Sequence, residues 1–117
     1  MLGGENYNAY DEELVRDRIK ARKSVREFNA ISEDEPEKRE EKIREIFGSA
    51  GKNIYVESYF KCDYGYTISV GENFYANFDC VFLDVCPIEI GDNCFIAPGV
   101  HIYTATHPVN AAERYSG

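Results

Sequence analysis

The stretch Ile68-Ser69-Val70-Gly71-Glu72-Asn73 decides the fold, because it returns 20 residues later as Ile88-Glu89-Ile90-Gly91-Asp92-Asn93. Within that period the apolar residues follow a shorter rule of two six-residue steps and one eight-residue step. The residues that begin the steps are Cys62, Val70, Ala76, Phe82, Ile90, Ile96 and Ile102. A repeat of this length sets the architecture of the whole segment that contains it.

A six-residue apolar period excludes the two commonest explanations, since an α-helix repeats every 3.6 residues and a strand every two. A three-sided coil does produce it. Each side is one short strand, and each corner turns at a Gly, Asn or Asp that tolerates unusual backbone angles. Stacked coils pair every strand with the strand one turn above. The sequence therefore predicts a parallel β-helix over residues 54–103, whose hand the period alone does not determine.

The fifth position of each step is also expected to face inward. These positions are Phe74, Cys80, Cys86, Cys94 and Val100. All four cysteines of the chain thus lie at inward positions, Cys62 at the start of a step and the other three at fifth positions. Their spacing contains no CxxC pair of the kind that zinc sites use. We interpret them as small buried hydrophobic residues without a metal or redox role.

Residues 1–53 are charged and have the period of helices rather than of coils. Asp11-Glu12-Glu13 places acids where a helix begins, which the helix dipole favours. One semi-apolar face follows, and Asn29 is a plausible stop. Its members are Leu14, Arg18, Ala21, Val25 and Phe28.

A second helix is predicted after Ser32, which forms a capping-box pattern with Glu35, while Pro36 suits the first helical turn. Its buried side is expected to carry Ile43, Ile46 and Phe47. The two helices would cover one end of the coils. Residues 104–117 have no period and predict a loop.

The charge balance limits the classes of partner that the chain is expected to bind. The chain of 117 residues has 13 Lys and Arg against 21 Asp and Glu, a formal net charge of −8. Phosphates need clustered cations, and we see no basic stripe, so neither nucleic acid nor an anionic membrane is expected as a partner. No stretch is long and apolar enough to span a membrane, and the first residues do not resemble a signal peptide. The expected location is cytoplasmic.

The chain closely resembles the maltose and galactoside O-acetyltransferase family of hexapeptide-repeat acyltransferases. The resemblance lies in Asn73-Phe74-Tyr75-Ala76-Asn77-Phe78-Asp79, in Thr104-Ala105-Thr106-His107-Pro108-Val109, and near the start in Gly4-Glu5-Asn6-Tyr7 and Asp11-Glu12-Glu13-Leu14. It implies a left-handed β-helix and a homotrimer with active sites between subunits. It also implies transfer of acetyl from acetyl-CoA to a sugar hydroxyl, of maltose, glucose or a related sugar, without a metal.

The resemblance also implies a division of labour along the chain. Residues 1–53 would form a helical region on the acceptor side, and residues 104–117 the start of an extended active-site loop. Family members continue with further coils that hold much of the acetyl-CoA groove. The residues that bind acetyl-CoA are therefore not assigned in this sequence.

His107 is the candidate general base. A sugar hydroxyl is a poor nucleophile until a base removes its proton, and imidazole serves near neutral pH. The chain has only His101 and His107, and His107 matches the family's catalytic histidine. His101 lacks such a context and is expected on the surface.

Four further residues resemble the family's acceptor-binding positions, each with a structural alternative. Asn77 would hold the acceptor and the base, or it would be a corner residue with left-handed backbone. Asp84 would bind sugar hydroxyls or, equally well, make a turn. Tyr75 and Asp11 are weaker candidates, and for Asp11 a helix cap is the better interpretation.

These residues favour direct transfer in a ternary complex, with backbone N–H groups holding the oxyanion. Because the cysteines are expected to be buried and no Ser–His pair is evident, we predict no acyl-enzyme. Two other functions stay open. Zinc-dependent carbonic anhydrases share the architecture but need three imidazoles on the metal. A catalytically inactive repeat scaffold, or a trimeric sugar-binding module, is the non-enzymatic alternative.

Overall fold

The computed structural model describes residues 9–104 and 109–110, and only the backbone of residues 9–11 and 109–110. Helix α1 spans Ala9–Ala30 and helix α2 spans Pro36–Ile46. Ten short strands follow within the described ranges: β1 Ser49–Ala50, β2 Tyr55–Val56, β3 Lys61–Cys62, β4 Ile68–Val70, β5 Tyr75–Ala76, β6 Val81–Leu83, β7 Ile88–Ile90, β8 Phe95–Ile96, β9 His101–Tyr103 and β10 Val109–Asn110.

The strands form three parallel sheets, one for each side of a triangular coil. Sheet A has the order β1-β4-β7-β10, sheet B the order β2-β5-β8, and sheet C the order β3-β6-β9. Tyr75 pairs with Tyr55 below it and with Phe95 above it, which is the 20-residue period of the sequence. The predicted stack of three-sided coils is confirmed.

One pairing departs from the period. Val109 of β10 lies opposite Ile88 of β7, a separation of 21 residues instead of 20. The chain between sheets C and A is therefore one residue longer in the last coil than in the coil below it. His107 lies in this longer connection.

The interior follows the predicted positions. All seven residues that begin the steps are buried, as are Phe74 and Cys80. Edge-to-face contacts join Phe60 and Phe74 to Phe82, with ring centroids 5.3 and 6.5 Å apart. Rings of this size contribute most of the apolar area that stabilises a narrow core.

Burial of all four cysteines was predicted, and for two of them this is wrong. Cys62 and Cys80 are buried, but Cys86 and Cys94 are only partly buried. Cys86 lies on the connection between sheets C and A. The step there is eight residues long, and its fifth position is no longer fully buried. Cys94 lies in the last complete coil that the structure describes, above which only β10 is described.

The corner between sheets A and B repeats one solution in every coil. Asn53, Asn73 and Asn93 all have left-handed backbone, with φ of 60°, 59° and 59°. Their amides form a ladder, in which Asn53 donates to Asn73 at 3.2 Å and Asn73 donates to Asn93 at 2.8 Å. Asn is the side chain other than Gly that best tolerates this backbone.

The helices pack over the lower end of the coils. Ala21, Val25 and Phe28 of α1 are buried as predicted, whereas Leu14 is half-buried and Arg18 is exposed. Asn29 does not end α1, which continues to Ala30. The Asn29 side chain instead accepts from the N–H of Tyr59 and Phe60 and donates to the Phe60 carbonyl.

Helix α2 begins without the predicted capping box. Its N-cap is Glu35, which makes no side-chain capping bond, while Pro36 occupies the first turn as expected. Ser32 accepts from the N–H of Asp34 rather than from the N–H of Glu35. Ile43, Ile46 and Phe47 are buried.

A buried arginine joins α2 to the rest of the chain. Arg39 is 1% exposed and donates to the carbonyls of Ile31 at 2.7 Å and Val56 at 2.9 Å. Its guanidinium also lies 4.3 Å from the ring centroid of Phe28. The end of α1, the first coil and α2 therefore meet on one side chain.

Both predicted boundaries of the coils shift. β1 begins at Ser49 and pairs with Ser69, so the first coil starts inside the segment 1–53. β10 lies inside the segment 104–117 that was predicted to be loop. None of the described helices is long and apolar enough to cross a membrane.

Candidate active site

The corner between sheets C and A is organised by Asp84, which is 0% exposed. Its carboxylate accepts hydrogen bonds from the backbone N–H groups of Asp63 and Tyr64, both at 2.9 Å, and of Gly65 at 2.7 Å. The hydroxyl of Thr67 is a fourth donor. Asp84 therefore holds the corner of the coil below its own.

The prediction that Asp84 binds sugar hydroxyls is wrong for this geometry. A carboxylate that accepts four internal hydrogen bonds and is out of contact with solvent has no oxygen left for a substrate. The structural alternative, a turn-making aspartate, is what the structure shows. Gly65 is part of the same arrangement, since its φ is +83° and a Cβ there would lie 2.6 Å from the Ile46 carbonyl oxygen.

Helix α1 is tied to this corner by arginines. Arg22 donates to the Asp63 carboxylate at 2.9 Å and to the Cys62 carbonyl at 3.3 Å. Arg18 donates to the Tyr64 hydroxyl at 3.1 Å, and this hydrogen bond raises the pKa of Arg18. The helix and the loop 63–67 are thus positioned together.

These contacts correct the expectation of no basic stripe. Arg18, Arg22 and Arg26 are spaced four residues apart, which places them on one face of α1, and together they line one shallow depression. The sequence carried this signal. Acids and other bases lie between the three arginines along the chain and obscure the four-residue spacing.

Asn77 directly follows β5 of sheet B and is half-exposed. Its side-chain oxygen accepts from the Phe78 N–H at 2.8 Å, and its Nδ2 group has no partner among the described residues. Left-handed backbone belongs to Asn73 and Asp79 instead. Asn77 is therefore not the corner residue of the structural alternative, and its amide is oriented with a free donor.

Tyr75 is the middle ring of a stack on the outside of sheet B. Its ring centroid lies 5.6 Å from that of Tyr55 and 5.0 Å from that of Phe95, with nearly parallel planes. The hydroxyl donates to Glu57 at 2.6 Å. This hydrogen bond, with some desolvation, raises the pKa of Tyr75 to about 12. Tyr75 is therefore an oriented neutral phenol at neutral pH.

Of the two histidines, only His101 lies within the described residues. His101 is exposed on β9, as predicted, and its Nδ1 lies 3.0 Å from the Tyr103 hydroxyl. His107 lies outside the described residues, and of Asp11 only the backbone, within α1, is described. The start of the connection that contains His107 is fixed by Thr104, which donates to the Leu83 carbonyl at 2.7 Å.

In one protomer the described candidates Tyr75 and Asn77 lie apart from the residues that flank His107. Tyr75 lies on strand β5 of sheet B, and Asn77 directly follows that strand. Thr104 and Val109, which flank His107 in sequence, lie at the end of sheet C and the start of sheet A. The strands of sheet C separate the two groups.

Among the described side chains no group of three His, Cys, Asp or Glu could hold a metal ion. Burial raises the pKa of Cys62, Cys80 and Cys94, which makes these three thiols poor nucleophiles. A thiolate is the reactive form of cysteine.

Comparison with known proteins points to one family. Residues 1–51 match the maltose acetyltransferase hexapeptide capping motif. The chain is 59% identical to a maltose O-acetyltransferase of solved structure from Clostridium difficile 630, with a TM-score of 0.80 over 95% of this chain and 59% of that one. Over its whole length the chain is similar to members of the maltose and galactoside acetyltransferase family. The coils are accordingly those of the left-handed parallel β-helix of hexapeptide repeats.

Two further relatives of the family extend the comparison. The galactoside O-acetyltransferase of Escherichia coli is 38% identical over all of this chain and 58% of its own length. The solved structure of a galactoside acetyltransferase in complex with coenzyme A is also 38% identical, with a TM-score of 0.79 over 95% of this chain and 56% of that one. The chain spans about 60% of the length of the curated relatives that it matches.

Proposed function

We propose that this chain belongs to an acetyl-CoA-dependent sugar O-acetyltransferase whose general base is His107. The observation that carries the proposal is the pairing of Val109 with Ile88. The stack is regular until the connection that contains His107, where it gains one residue. Added residues in repeat proteins fall in loops, and such loops often carry the binding function.

The reaction needs a general base, hydrogen-bond donors for the oxyanion and an acetyl donor. His107 would take the proton of a sugar hydroxyl as that oxygen attacks the acetyl carbonyl of acetyl-CoA. Backbone N–H groups would hold the resulting oxyanion. The coenzyme A complex of a family member supports acetyl-CoA as the donor. The raised pKa values of the buried thiols support direct transfer without an acyl-cysteine.

The acceptor would be held by Asn77 and Tyr75, with Asp11 as a third candidate. The free Nδ2 of Asn77 can donate to a sugar oxygen, and the Tyr75 hydroxyl oxygen, whose proton goes to Glu57, can accept from a sugar hydroxyl. Asp84 would contribute indirectly, by holding the loop 63–67 in place. Maltose and galactosides are the acceptors that the names of the relatives suggest.

A homotrimer would complete the site, because one protomer keeps its parts on different faces. We place sheet B of one copy against the corner between sheets C and A of the next copy. Phe95 is 65% exposed and Phe78 is 48% exposed on that side of the coil. Aromatic side chains are enriched at surfaces that bind a protein partner.

The two ends of the chain would then have separate roles. Residues 1–53 would shape the acceptor side, and residues 104–117 would begin the active-site loop. The residues that bind acetyl-CoA would lie mainly in downstream coils of the kind that the family has. Arg22 and Arg18, which tie α1 to the loop 63–67, support the first of these roles.

The test is acetyl-CoA turnover, followed as free coenzyme A thiol, with maltose, glucose and a galactoside as acceptors. This chain is compared with one that continues into downstream sequence. Acceptor-dependent turnover that disappears in His107→Ala supports the proposal. Failure of both chains, with folding intact and sugar binding retained, would instead indicate the sugar-binding module.

A further inference from the structure

A groove of about 320 Å³ lies between α1 and sheet C. Its floor is apolar and is made by Val25, Cys62, Val81 and Leu83. Val25 and Cys62 are buried at the bottom, whereas Val81 and Leu83 are half-buried on the outside of β6. The space is of the size that small-molecule sites have, which begins at about 300 Å³.

The rim of the groove is positive. Arg22, Arg26 and Lys61 line it, and no carboxylate does. Arg22 is paired with Asp63 at 2.9 Å, whereas the side chains of Arg26 and Lys61 are exposed and make no hydrogen bond or ion pair with the described residues. On a chain of net charge −8 this is a local reversal of sign.

The lining argues against a sugar as the occupant. The only uncharged polar side chain there is Asn29, whose amide oxygen and nitrogen are already bonded to the backbone of Tyr59 and Phe60. Apart from the two cations on the rim, sugar hydroxyls would find no free partner over the apolar floor, and unpaired polar groups cost binding free energy. The groove is therefore separate from the proposed acceptor site.

The lining also argues against a polyanion. A nucleic acid needs a row of unpaired cations along its phosphates, and only two of the groove's cations are unpaired. An apolar floor that ends at two cations matches a ligand with one charged end and one hydrocarbon end. A guanidinium and an ammonium group together bind a carboxylate by charge-assisted hydrogen bonds.

We propose that this groove binds a soluble single-chain amphiphilic carboxylate. The alkyl chain lies on Val25, Val81 and Leu83, and the carboxylate lies between Arg26 and Lys61. This site does not depend on the acetyltransferase proposal, because none of these residues belongs to the candidate acceptor-binding set or to the base.

The test is calorimetric titration of the chain with hexanoate, octanoate and decanoate, below the concentrations at which they form micelles. Each two added methylenes should tighten binding about tenfold until the groove is full. Decanol, which lacks the charge, should bind at least about tenfold more weakly than decanoate. Equal affinity across the series, or no binding at all, would overturn the proposal.

Matched variants locate the site. R26E together with K61E should weaken decanoate binding by at least about thirtyfold, since it replaces both attractive charges by repulsive ones. K23E together with K52E changes the net charge by the same amount at exposed positions outside the groove, and should leave binding unchanged. Equal losses in both pairs would overturn the proposal.

A third variant tests the apolar floor. Val81→Trp should fill the groove and abolish the dependence of affinity on the length of the alkyl chain, with the thermal unfolding midpoint showing that the coils are intact.

Three other outcomes would also contradict the proposal. They are tighter binding to anionic lipid vesicles than to monomeric decanoate, preference for an acidic peptide, and a self-association of the chain that R26E with K61E abolishes.

Discussion

The corner between sheets A and B and the corner between sheets C and A solve the same turn in opposite ways. The first uses a left-handed asparagine in each coil, and every amide bonds to its copy one coil away. The second has a different solution in each coil. Asp84 captures the loop 63–67 below it, and Thr104 begins a connection that is one residue longer.

The difference shows where a repeat protein can change. In the first corner the asparagines bond to their equivalents in the neighbouring coils, so one solution serves all coils and any change disturbs its neighbours. In the second corner the polar groups are satisfied by particular side chains. The corner is therefore free to differ between coils and to carry a site.

Removal of Asp84 should have the largest effect. Asp84→Ala leaves the N–H groups of Asp63, Tyr64 and Gly65 without their acceptor, and should lower the free energy of unfolding by about 4 kcal/mol. Asp84→Asn keeps one oxygen as acceptor and should cost about half as much. Urea unfolding measures both. A loss below about 1 kcal/mol for Asp84→Ala would mean that the corner is held by something else.

A change in the repeating corner should cost less. Asn73→Ala removes two exposed amide bonds and puts a Cβ without a polar partner at φ of 59°, so about 2 kcal/mol should be lost. Asn73→Gly removes the same bonds but suits the backbone, and should cost about 1 kcal/mol. Equal losses would show that the left-handed backbone is not what Asn supplies.

A substitution in the corner between sheets B and C should increase the stability of the fold. Tyr59 has φ of 67° where the equivalent positions carry Asp79 and Gly99, and its side chain is exposed. Tyr59→Asn should raise the free energy of unfolding by about 0.5–1 kcal/mol, because a bulky side chain is strained in this region. Phe78→Asn, which changes an exposed aromatic without left-handed backbone, is the control and should give no gain.

The smallest effect is a pH dependence from Tyr75. Its pKa of about 12 lies above the ordinary value of 10.0, so the folded state binds this proton more tightly than the unfolded state. The resulting stability is complete below pH 10 and is lost as the pH rises towards 12. Tyr75→Phe should remove this part of the loss, measured by urea unfolding at pH 9 and pH 11. The contribution is small because the phenol is partly exposed and the interaction is screened.

The sequence was enough to predict the coils, because each coil repeats the same pattern of inward apolar residues and corner residues. The inward residues, such as Val70 and Ile96, and the corner asparagines all recur at the period. The first coil was missed at Ser49–Ala50, since Gly48-Ser49-Ala50 carries only small side chains and shows no apolar period.

The contacts of Asp84 and Arg39 could not be predicted. Their partners are backbone N–H and carbonyl groups, which every residue has, so the sequence carries no sign of the pairing. Arg39 has the pattern of a surface residue on α2, yet it is buried against three segments of the chain. The hydrogen bond between Glu57 and Tyr75 could not be predicted either. It joins successive coils through one pair of side chains that the 20-residue period does not repeat.

The central claim, a site shared between two protomers with His107 as base, is tested most directly by mixing two variants. His107→Ala and Asn77→Ala are each purified in the longest chain that shows turnover, and each should lose at least about tenfold in kcat. The two are then unfolded, mixed in equal amounts and reassembled. If each site takes its base from one copy and its amide from the next, about one site in four becomes intact, and the mixture regains about a quarter of the activity. A mixture no more active than its two components, or a fully active His107→Ala protein, would contradict the claim.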